Sequence, residues 1–364
     1  MSDRQNNGRL PDWLGGGERP VIISGPCSAE SEEQTLETAR RISTTGKVSV
    51  FRAGVWKPRT RPGMFEGRGE KALQWLQKVK ELTGLKVTVE VANPEHIELA
   101  LKYGIDILWI GARTVVNPFS MQEVAHALRG VDIPVMVKNP VNPDLNLWLG
   151  ALERLREAGI TRMAAIHRGF WFFERSPYRN APMWEIPIEL KRQCPDLPMI
   201  CDPSHICGTP SLLLPVAQKA LDLEMDGLMI ESHSNPKEAL TDARQQITPE
   251  ELNELINSLI IRDSMASKNF RNRLEKLRSE VDKIDGELLQ ILARRMELID
   301  ELGKYKRDHN ITILQLKRWS NIVEERLKMG VASGLDRDFL LRILEIVHTE
   351  SIRRQSEIYG KQEE

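Results

Sequence analysis

Four residues that follow apolar runs in the first 242 positions have side chains of the types that bind divalent metal ions. They comprise a thiol, an imidazole and two carboxyl groups, each at or beyond the end of an apolar run: Cys27, His205, Glu231 and Asp242. A thiolate beside imidazole and carboxylates suits Mn, Fe, Co or Zn better than Mg or Ca. None is spaced as a sequence-local metal motif, and each alone has an ordinary structural interpretation. Their shared placement makes a divalent metal ion the expected cofactor.

The segment FRAGVWKPRT, residues 51–60, concentrates positive charge after an apolar run. It contains Arg52, Lys57, Arg59 and Thr60 within nine positions, on a loop stiffened by proline. Arginine offers a planar fork and lysine a mobile point charge for carboxylate and phosphate oxygens. A small, highly anionic metabolite is the expected target, and a solvated basic loop is the alternative.

Three further cations follow other apolar runs directly: Arg113, Lys138 and Arg168. A phosphate together with a carboxylate requires about this many donors when water is excluded. The pattern therefore extends the anion site beyond a single loop.

Short apolar runs alternate with helix-like segments over about 250 residues. Eight runs are found: 21–24, 48–51, 87–91, 107–110, 135–137, 163–166, 199–201 and 228–230. This alternation indicates a parallel sheet, and eight repeats favour an α/β fold of the (β/α)₈ TIM-barrel type, in which strand ends converge on one mouth. A doubly wound open sheet is the structural alternative.

Composition bounds the remaining possibilities. The chain has 364 residues, 41% of them hydrophobic, and a formal net charge of -1, which argues against a nucleic-acid partner. No apolar run has the length of a membrane span, and the polar N-terminus has no signal-peptide core, so we expect a cytoplasmic protein without a membrane partner. Four scattered cysteines do not form a disulfide framework.

The sequence changes character after residue 263. It becomes rich in Leu, Glu, Lys and Arg, and apolar residues recur at helical spacing from 274 to 299, 316 to 329 and 337 to 358. Three helices of which the first is very long cannot bury such a stripe alone, so we expect an intertwined homodimer. The expected domains are a barrel at 1–262, a linker at 263–269 and a helical domain at 270–364.

Several motifs give the barrel a family resemblance. They are GPCS at 25–28, RAGVWKPRT at 52–60, GAR at 111–113, VKNP at 137–140, HRG at 167–169, CDPSH at 201–205 and IESHSNPKEALTD at 230–242. Residues 20–252 resemble the smaller type of 3-deoxy-D-arabino-heptulosonate 7-phosphate (DAHP) synthase. The resemblance implies condensation of phosphoenolpyruvate with erythrose 4-phosphate.

The same resemblance implies roles for individual residues. The metal ion, acting as a Lewis acid on the aldehyde, would be held by Cys27, His205, Glu231 and Asp242. The phosphate of phosphoenolpyruvate would be bound by Arg113, Lys138 and Arg168. Its carboxylate would lie near Arg52, Lys57 and Lys138. The distal phosphate of the aldose would be bound by Arg59 and Thr60, and Lys57 is the candidate proton donor to the new alkoxide.

The C-terminal helices resemble the all-helical class of chorismate mutase. The matching features are LRSEVDKID at 277–285, LARRMEL at 292–298, GKYK at 303–306, an arginine at 318, and a serine and glutamine at 351 and 355. Ser351 and Gln355, four residues apart, share one helix face. The resemblance implies rearrangement of chorismate to prephenate by fixed hydrogen-bond donors, without a cofactor.

The mutase resemblance also assigns residues. Chorismate carboxylates and neighbouring groups would be bound by Arg278, Arg295 and Arg318, one of them contributed by the partner subunit. Lys306 and Gln355 would donate hydrogen bonds to the ether oxygen, where negative charge develops. Many relatives have a glutamate that contacts the substrate hydroxyl where this chain has Trp319.

Other functions remain open at this stage. The helical domain could be a non-catalytic dimerisation and sensing module for chorismate or prephenate, and the barrel could be the related octulosonate phosphate synthase, although Lys57-Pro58-Arg59-Thr60 favours the four-carbon aldose. A pure interaction scaffold leaves the strand-end charges unexplained. Fusion of the two activities suggests inhibition of the synthase by chorismate or prephenate.

Overall fold

The computed structural model describes residues 10–17, 19–59, 61, 63–262 and 268–360. Thr60 and residues 263–267 of the expected linker lie outside these ranges. Contacts divide the chain into two units, Met1–Ser264 and Met265–Glu364. The domain boundaries expected from the sequence stay a prediction.

Within the described residues of the first unit, eight parallel strands form a closed barrel in sequence order. They are β1 (Val21–Gly25), β2 (Val50–Arg52), β3 (Lys86–Val91), β4 (Ile107–Ile110), β5 (Val135–Lys138), β6 (Met163–His167), β7 (Met199–Cys201) and β8 (Gly227–Glu231). Closure occurs between β1 and β8, where Ile23 is opposite Met229 and Gly25 is opposite Glu231. The expected TIM barrel is thereby confirmed, and the open sheet is excluded.

Helices follow the strands and cover the outside of the barrel. They are α1 (Glu32–Ser43), α2 (Glu70–Thr83), α3 (Pro94–Lys102), α4 (Ala112–Val115), α5 (Pro118–Ala127), α6 (Leu145–Glu157), α7 (Glu185–Gln193), α8 (Pro203–Cys207), α9 (Leu213–Asp222) and α10 (Pro249–Ser258). Polar N-caps begin several of them; the side chain of Asn93, for example, accepts the backbone N–H of His96. The short helices α4 and α8 were not predicted, because each spans fewer than two turns and shows no periodicity.

The barrel core has two layers, as the alternation of side chains along a strand requires. Ile23 packs inside the barrel with residues such as Ile107 and Met229, whereas Ile22 packs outward against the helices. Leu14, from a single 3₁₀ turn at Asp12–Leu14, is fully buried in the inner layer. The interior is therefore a packed core that supports the opposite, carboxyl-terminal mouth.

The second unit is helical in its described residues, as expected. It contains α11 (Lys268–Asp308), α12 (Leu316–Ala332) and α13 (Arg337–Gly360), and α13 contacts both other helices. On α11, Leu277, Val281 and Ile284 are each more than half exposed. None of the helices in the described ranges has the combination of length and hydropathy needed to cross a membrane.

Candidate active sites

Three expected site residues are the last residues of barrel strands. Arg52 ends β2, Lys138 ends β5 and Glu231 ends β8. Because parallel strands in a closed barrel all point the same way, their carboxyl ends surround one mouth. The three side chains are at most 5% exposed. The mouth therefore holds charged groups away from bulk water.

A compact cluster of potential metal ligands lies in this mouth. The ligand atoms of Cys27, Glu231 and Asp242 all lie within 4.8 Å of one another. The Cys27 thiol donates to Asp242 Oδ2 at 3.6 Å, and the Gln245 amide donates to Glu231 Oε2 at 2.7 Å. Asp242 has φ of 47°, a left-handed conformation that costs a non-glycine residue about 1–3 kcal/mol and is common at binding sites.

His205 approaches the cluster from the end of β7. It lies in α8, whose N-cap Asp202 accepts the His205 backbone N–H at 3.1 Å and lies 2.8 Å from its ring Nδ1. The other ring nitrogen, Nε2, is 3.8 Å from Glu231 Oε1. A carboxylate on one ring nitrogen orients the other nitrogen, as it does for many histidine metal ligands. The structure thus brings His205 beside the three-residue cluster.

The four side chains fit a divalent cation. Glu231 Oε1 is buried without a hydrogen-bond partner among the described residues, although Arg52 Nη2 is at an ion-pair distance of 3.3 Å. Burial, and then the charge of Glu231, raises the pKa of the Cys27 thiol to about 11. A bound cation would reverse that effect, since a coordinating thiol loses its proton. Sulfur, nitrogen and oxygen donors together favour a first-row transition metal.

Lys57 reaches the same cluster from the loop after β2. Its Nζ lies 3.1 Å from Cys27 Sγ, and its backbone N–H donates to Glu66 O at 2.8 Å. Gly54 leaves the space for this approach, because a Cβ there would lie 2.4 Å from Lys57 Nζ and 2.6 Å from Cys27 O. The close packing of loop and cluster therefore requires glycine at position 54.

Trp109 is a buried platform for two expected cations. The guanidinium carbon of Arg52 lies 4.9 Å from the ring centroid, and Lys138 Nζ lies 5.9 Å from it. The indole N–H donates to Glu90 Oε2 at 3.1 Å, and Lys138 also pairs with Asp202 at 2.9 Å. A desolvated cation–π contact contributes about 2 kcal/mol. Trp109 therefore helps to fix both cations at the mouth.

Arg168 lies close enough to Arg179 and Arg113 for their charges to act on it. Arg168 follows β6 and donates from Nη1 to Asn180 Oδ1 at 2.7 Å. Burial lowers the pKa of Arg168 to about 10; Asp202 opposes this shift, whereas Arg179 and Arg113 add to it. Because neighbouring like charges destabilise one another, a bound anion would stabilise the group. The arrangement is suited to binding phosphate.

Backbone carbonyl oxygens accept hydrogen bonds from two of the expected cations. Arg113 Nη1 donates to Pro58 O at 2.8 Å, and Arg59 Nε donates to Phe65 O at 2.7 Å. Arg59 Nη2 is buried and lacks a hydrogen-bond partner within the described ranges. Because Thr60 lies outside those ranges, the second phosphate site stays a prediction.

Several residues at the mouth were missing from the predicted site. Arg179 Nη1 lies 3.1 Å from Asp242 Oδ1 and donates to Gln245 Oε1 at 2.5 Å. Arg179 lies in the loop before α7 and does not directly follow any of the eight predicted strand runs, so the sequence carries no positional signal for it. Asp202 could have been found, because an aspartate directly before Pro203 is a typical N-cap.

The second unit gathers its own set of expected residues. Arg295 Nη1, on α11, donates to Ser351 Oγ, on α13, at 2.8 Å. Gln355 Nε2 donates to Ser351 O at 3.1 Å, and Gln355 Oε1 is buried with no hydrogen-bond partner within the described residues. Gly303 permits the close contact of the two helices, because a Cβ there would lie 3.2 Å from Gln355 Cγ.

Lys306 lies in the same region of the second unit. It is 8% exposed and donates from Nζ to Ile313 O at 2.6 Å. Burial, and then the charge of Arg318, lowers the pKa of Lys306. Lys306 and Arg295 both lower the pKa of His348, so both cations act on the same imidazole.

Arg278 is not brought to this set within one chain. It is exposed and donates to Glu275 Oε1 at 2.7 Å on the same helix. Arg278 and Arg295 are 17 residues apart (295 minus 278) on the continuous helix α11, which separates them by about 26 Å along its axis. One chain therefore cannot direct both arginines to one small molecule.

Fold and site together define a barrel enzyme whose mouth is lined by cations and potential metal ligands, followed by a helical unit with a second cluster of cations. The chain belongs to the DAHP synthetase I family, whose model matches residues 6–266. The chorismate mutase type II family matches residues 277–356. The chain therefore carries a DAHP synthase domain followed by a chorismate mutase domain, and both families are enzymes of aromatic biosynthesis.

Known relatives agree with this assignment of the barrel. The phospho-2-dehydro-3-deoxyheptonate aldolase of Thermotoga maritima is 32% identical over 239 residues, covering 66% of this chain and 68% of the relative. Its crystal structure superposes with a TM-score of 0.58 at 31% identity, over 65% of this chain and 67% of that one. The 2-dehydro-3-deoxyphosphooctonate aldolase of Wolinella succinogenes is 26% identical over 270 residues, covering 66% of this chain and 98% of the relative.

Proposed function

We propose that the barrel condenses phosphoenolpyruvate with erythrose 4-phosphate to DAHP and that the helical unit converts chorismate to prephenate. The proposal for the barrel is carried by one observation. Lys57 Nζ lies 3.1 Å from Cys27 Sγ, one member of a cluster of potential metal ligands that also contacts the buried cation Arg52. This combination suits a reaction between an aldehyde and a substrate that carries both phosphate and carboxylate.

The cations divide between the two anionic groups of phosphoenolpyruvate. Arg168 and Arg113, together with Arg179, are assigned to its phosphate, because the charges of Arg113 and Arg179 act on Arg168. Arg52 and Lys138 share the face of Trp109 and are assigned to the region between phosphate and carboxylate. Arg59 is assigned, with Thr60, to the phosphate of the aldose.

A divalent metal ion held by Cys27, His205, Glu231 and Asp242 would supply Lewis-acid polarisation of the aldehyde. The choice among Mn, Fe, Co and Zn is left to measurement, since this donor set accepts several of them. His205 is assigned to bind through Nε2, because its Nδ1 is engaged by Asp202.

The chemical steps need one proton donor and one water. The enol carbon of phosphoenolpyruvate bonds to the aldehyde carbon, and the former carbonyl oxygen takes a proton from Lys57. Water then adds to the cationic carbon of the former enol. The added water loses its two protons, one to the amine of Lys57 and one to the departing phosphate, as cleavage of the bond between this carbon and the phosphate oxygen releases inorganic phosphate and leaves the keto acid. The arginines that hold the phosphate stabilise its charge as it leaves.

The acceptor is proposed to be the four-carbon aldose. The alternative is a five-carbon acceptor, and the similarity to 2-dehydro-3-deoxyphosphooctonate aldolases is the reason to test it. The stronger similarity to phospho-2-dehydro-3-deoxyheptonate aldolase, together with the KPRT segment, favours erythrose 4-phosphate.

The mutase is proposed to work by fixed donors alone. Lys306 and Gln355 are assigned to the ether oxygen of chorismate, and Arg295, Arg318 and Ser351 to its carboxylates and neighbouring groups. A pericyclic rearrangement needs no nucleophile, so electrostatic stabilisation of the developing charge is the catalytic contribution. The alternative is a sensing module that binds chorismate or prephenate without turnover.

A homodimer through the helical unit is part of the proposal. The first half of α11 exposes a stripe of large apolar residues: Leu274, Leu277, Val281, Ile284 and Leu288. A cavity of about 500 Å³ beside α12 is bordered by Trp319, Val323 and Leu327. Because Arg278 lies at the exposed end of the stripe, dimerisation would also deliver it to the partner's site.

Feedback inhibition is proposed to link the two activities. Prephenate or chorismate bound in the helical unit would inhibit the barrel through a coupling that must be reciprocal. The motivation is the presence of both domains on one chain. If prephenate inhibits a Gln355→Ala synthase as strongly as it inhibits the unmodified protein, the helical site is not the inhibitory site.

The direct test measures both reactions on the purified full chain. With Mn²⁺ present, we expect phosphoenolpyruvate consumption that requires erythrose 4-phosphate and is at least tenfold slower with arabinose 5-phosphate. Chorismate loss is measured separately, with Lys306→Ala as the inactive control. Absence of phosphoenolpyruvate consumption contradicts the synthase, and binding of chorismate without turnover contradicts the mutase in favour of the sensor.

A further inference from the structure

His348 lies on the site-facing side of α13. It precedes Ser351 by three residues and Gln355 by seven, a spacing that places all three side chains along one face of the helix. Ser351 and Gln355 are buried there, and Ser351 accepts a hydrogen bond from Arg295. His348 therefore extends the row of polar groups toward α12.

The ring of His348 is held flat against Trp319. The ring centroids are 3.7 Å apart and the planes differ by 8°. Stacking of this kind fixes the orientation of an imidazole without using either of its nitrogens. The position therefore combines a rigid ring with a free edge.

The edge of the His348 ring that carries Nε2 is buried. His348 Nε2 is buried and has no hydrogen-bond partner among the residues that the structure describes. Burial, and then the charges of Arg295 and Lys306, lowers the pKa of His348. The imidazole is therefore neutral at neutral pH. A buried polar atom without a partner destabilises the protein, and a hydrogen bond from a ligand would remove that cost.

We propose that His348 is a substrate-binding residue of the helical site, whose Nε2 forms a hydrogen bond with the ring hydroxyl of the bound substrate. The inference rests on the proposed mutase function and adds to it the group that recognises the hydroxyl. Trp319 serves as the positioning residue that holds the imidazole in place.

The residues around His348 favour a hydroxyl as the hydrogen-bond partner of its Nε2. The carboxylates of chorismate and prephenate are matched by arginine forks such as Arg295, which form stronger, charge-assisted bonds. A neutral imidazole offers one donor and one acceptor, and a hydroxyl can accept from the first or donate to the second. Either tautomer of His348 therefore pairs with a hydroxyl, whereas only one pairs with a carboxylate.

The test replaces the imidazole by a ring without nitrogen. His348→Phe preserves a flat ring against Trp319 and removes Nε2. We expect mutase kcat/KM with chorismate to fall by about 10- to 100-fold, the effect of leaving a buried hydrogen bond unmade. With a chorismate analogue whose ring hydroxyl is replaced by hydrogen, the unmodified enzyme and His348→Phe should differ by less than twofold.

A matched control is His309→Phe. His309 also stacks on an aromatic ring, that of Tyr305 at 4.1 Å, but is exposed. We expect no change in mutase activity. Equal losses with both substrates in His348→Phe would show a purely structural role and overturn the proposal, as would unchanged turnover of chorismate.

Calorimetric titration with prephenate, which also carries a ring hydroxyl, separates this proposal from the mutase function. If the unmodified protein binds prephenate without turning over chorismate, the mutase proposal fails. In that case, tenfold weaker binding of prephenate by His348→Phe still supports the hydroxyl contact. Equal prephenate affinity of the two proteins overturns it. If the unmodified protein neither binds prephenate nor converts chorismate, both proposals fall.

Discussion

The ammonium group of Lys57 lies 3.1 Å from the sulfur of Cys27, across a gap that exists because residue 54 is glycine. The contact joins the loop that carries the conspicuous KPRT segment to the cluster formed by Cys27, Glu231 and Asp242. The proposed proton donor and the proposed metal ligands therefore lie within a few ångströms of each other. The synthase proposed for the barrel depends on this proximity.

Gly54→Ala should abolish most synthase activity. The added Cβ would lie 2.4 Å from Lys57 Nζ and 2.6 Å from the backbone oxygen of Cys27, and the backbone cannot move aside as a side chain can. Displacement of a catalytic group by about 1 Å costs on the order of 100-fold in rate. The measurement is kcat for phosphoenolpyruvate consumption, with chorismate turnover recorded on the same preparation.

Gly150→Ala is the matched control for this substitution. Its Cβ would meet only the end of the Arg154 side chain, at 3.1 Å, in the middle of α6. Alanine is favoured over glycine there by about 1 kcal/mol, so activity should be retained. Retention of full synthase activity by Gly54→Ala would show that Lys57 does not need the observed position.

Removal of the metal should separate the two activities of the chain. Treatment with EDTA is expected to reduce phosphoenolpyruvate consumption to a few per cent and to leave chorismate turnover unchanged, because the pericyclic site uses fixed donors only. Readdition of Mn²⁺ should restore the first activity. Metal content measured by mass spectrometry should fall in Cys27→Ser, since a hydroxyl replaces the soft ligand.

Cys194→Ser provides the cysteine control for this experiment. Cys194 is half-buried at the end of α7, outside the cluster of potential ligands. The metal content and synthase activity of Cys194→Ser should match those of the unmodified protein. Full metal content in Cys27→Ser together with full activity would remove Cys27 from the site.

The barrel could be predicted because its signals are local in sequence. Each apolar run is short and ends in a polar residue, as at Arg52, Lys138 and Glu231, so the strands and the residues at their mouth followed from the same pattern. The predicted runs at 107–110 and 199–201 coincide with β4 and β7, whereas the other boundaries differ by one or two residues, as for the run at 48–51, which is a strand only from Val50. The pairing of strands into a closed ring determines those limits.

Contacts between different strands and loops could not be predicted from the sequence. Trp109 was read as part of an apolar strand, yet its ring face carries Arg52 and Lys138. Arg179 lies in a loop whose path is set by tertiary contacts, including its ion pair with Asp242. Neither relationship has a spacing rule in the sequence, because partners come from distant parts of the chain.

Arg179→Ala should weaken the synthase through substrate binding. Arg179 pairs with Asp242 at 3.1 Å and adds positive charge beside Arg168. Loss of charge-assisted contacts to phosphate should lower kcat/KM for phosphoenolpyruvate by about 10- to 100-fold. Arg175→Ala, an exposed arginine of the same loop that has no ion pair among the described residues, should stay within twofold. Equal behaviour of the two variants would argue against a role for Arg179 in binding the anion.

Arg278 should act on the partner's mutase site, because α11 carries it about 26 Å along the helix from Arg295. Arg278→Ala and Gln355→Ala should each inactivate the mutase. In mixed dimers, one site would combine Gln355 of the first chain with Arg278 of the second and be intact. Random exchange of subunits should then restore about one quarter of the activity, since half of the dimers are mixed and each has one intact site.

The informative control mixes Arg295→Ala with Gln355→Ala. Arg295 donates to Ser351 in its own chain, and Gln355 donates to the same residue, so both serve one site from one chain. Every site in these mixed dimers lacks one of the two side chains, and mixing should restore nothing. Recovery in this control, or its absence in the Arg278 mixture at verified subunit exchange, would contradict the contribution of Arg278 across the dimer. The comparison thereby distinguishes a shared site from two independent ones.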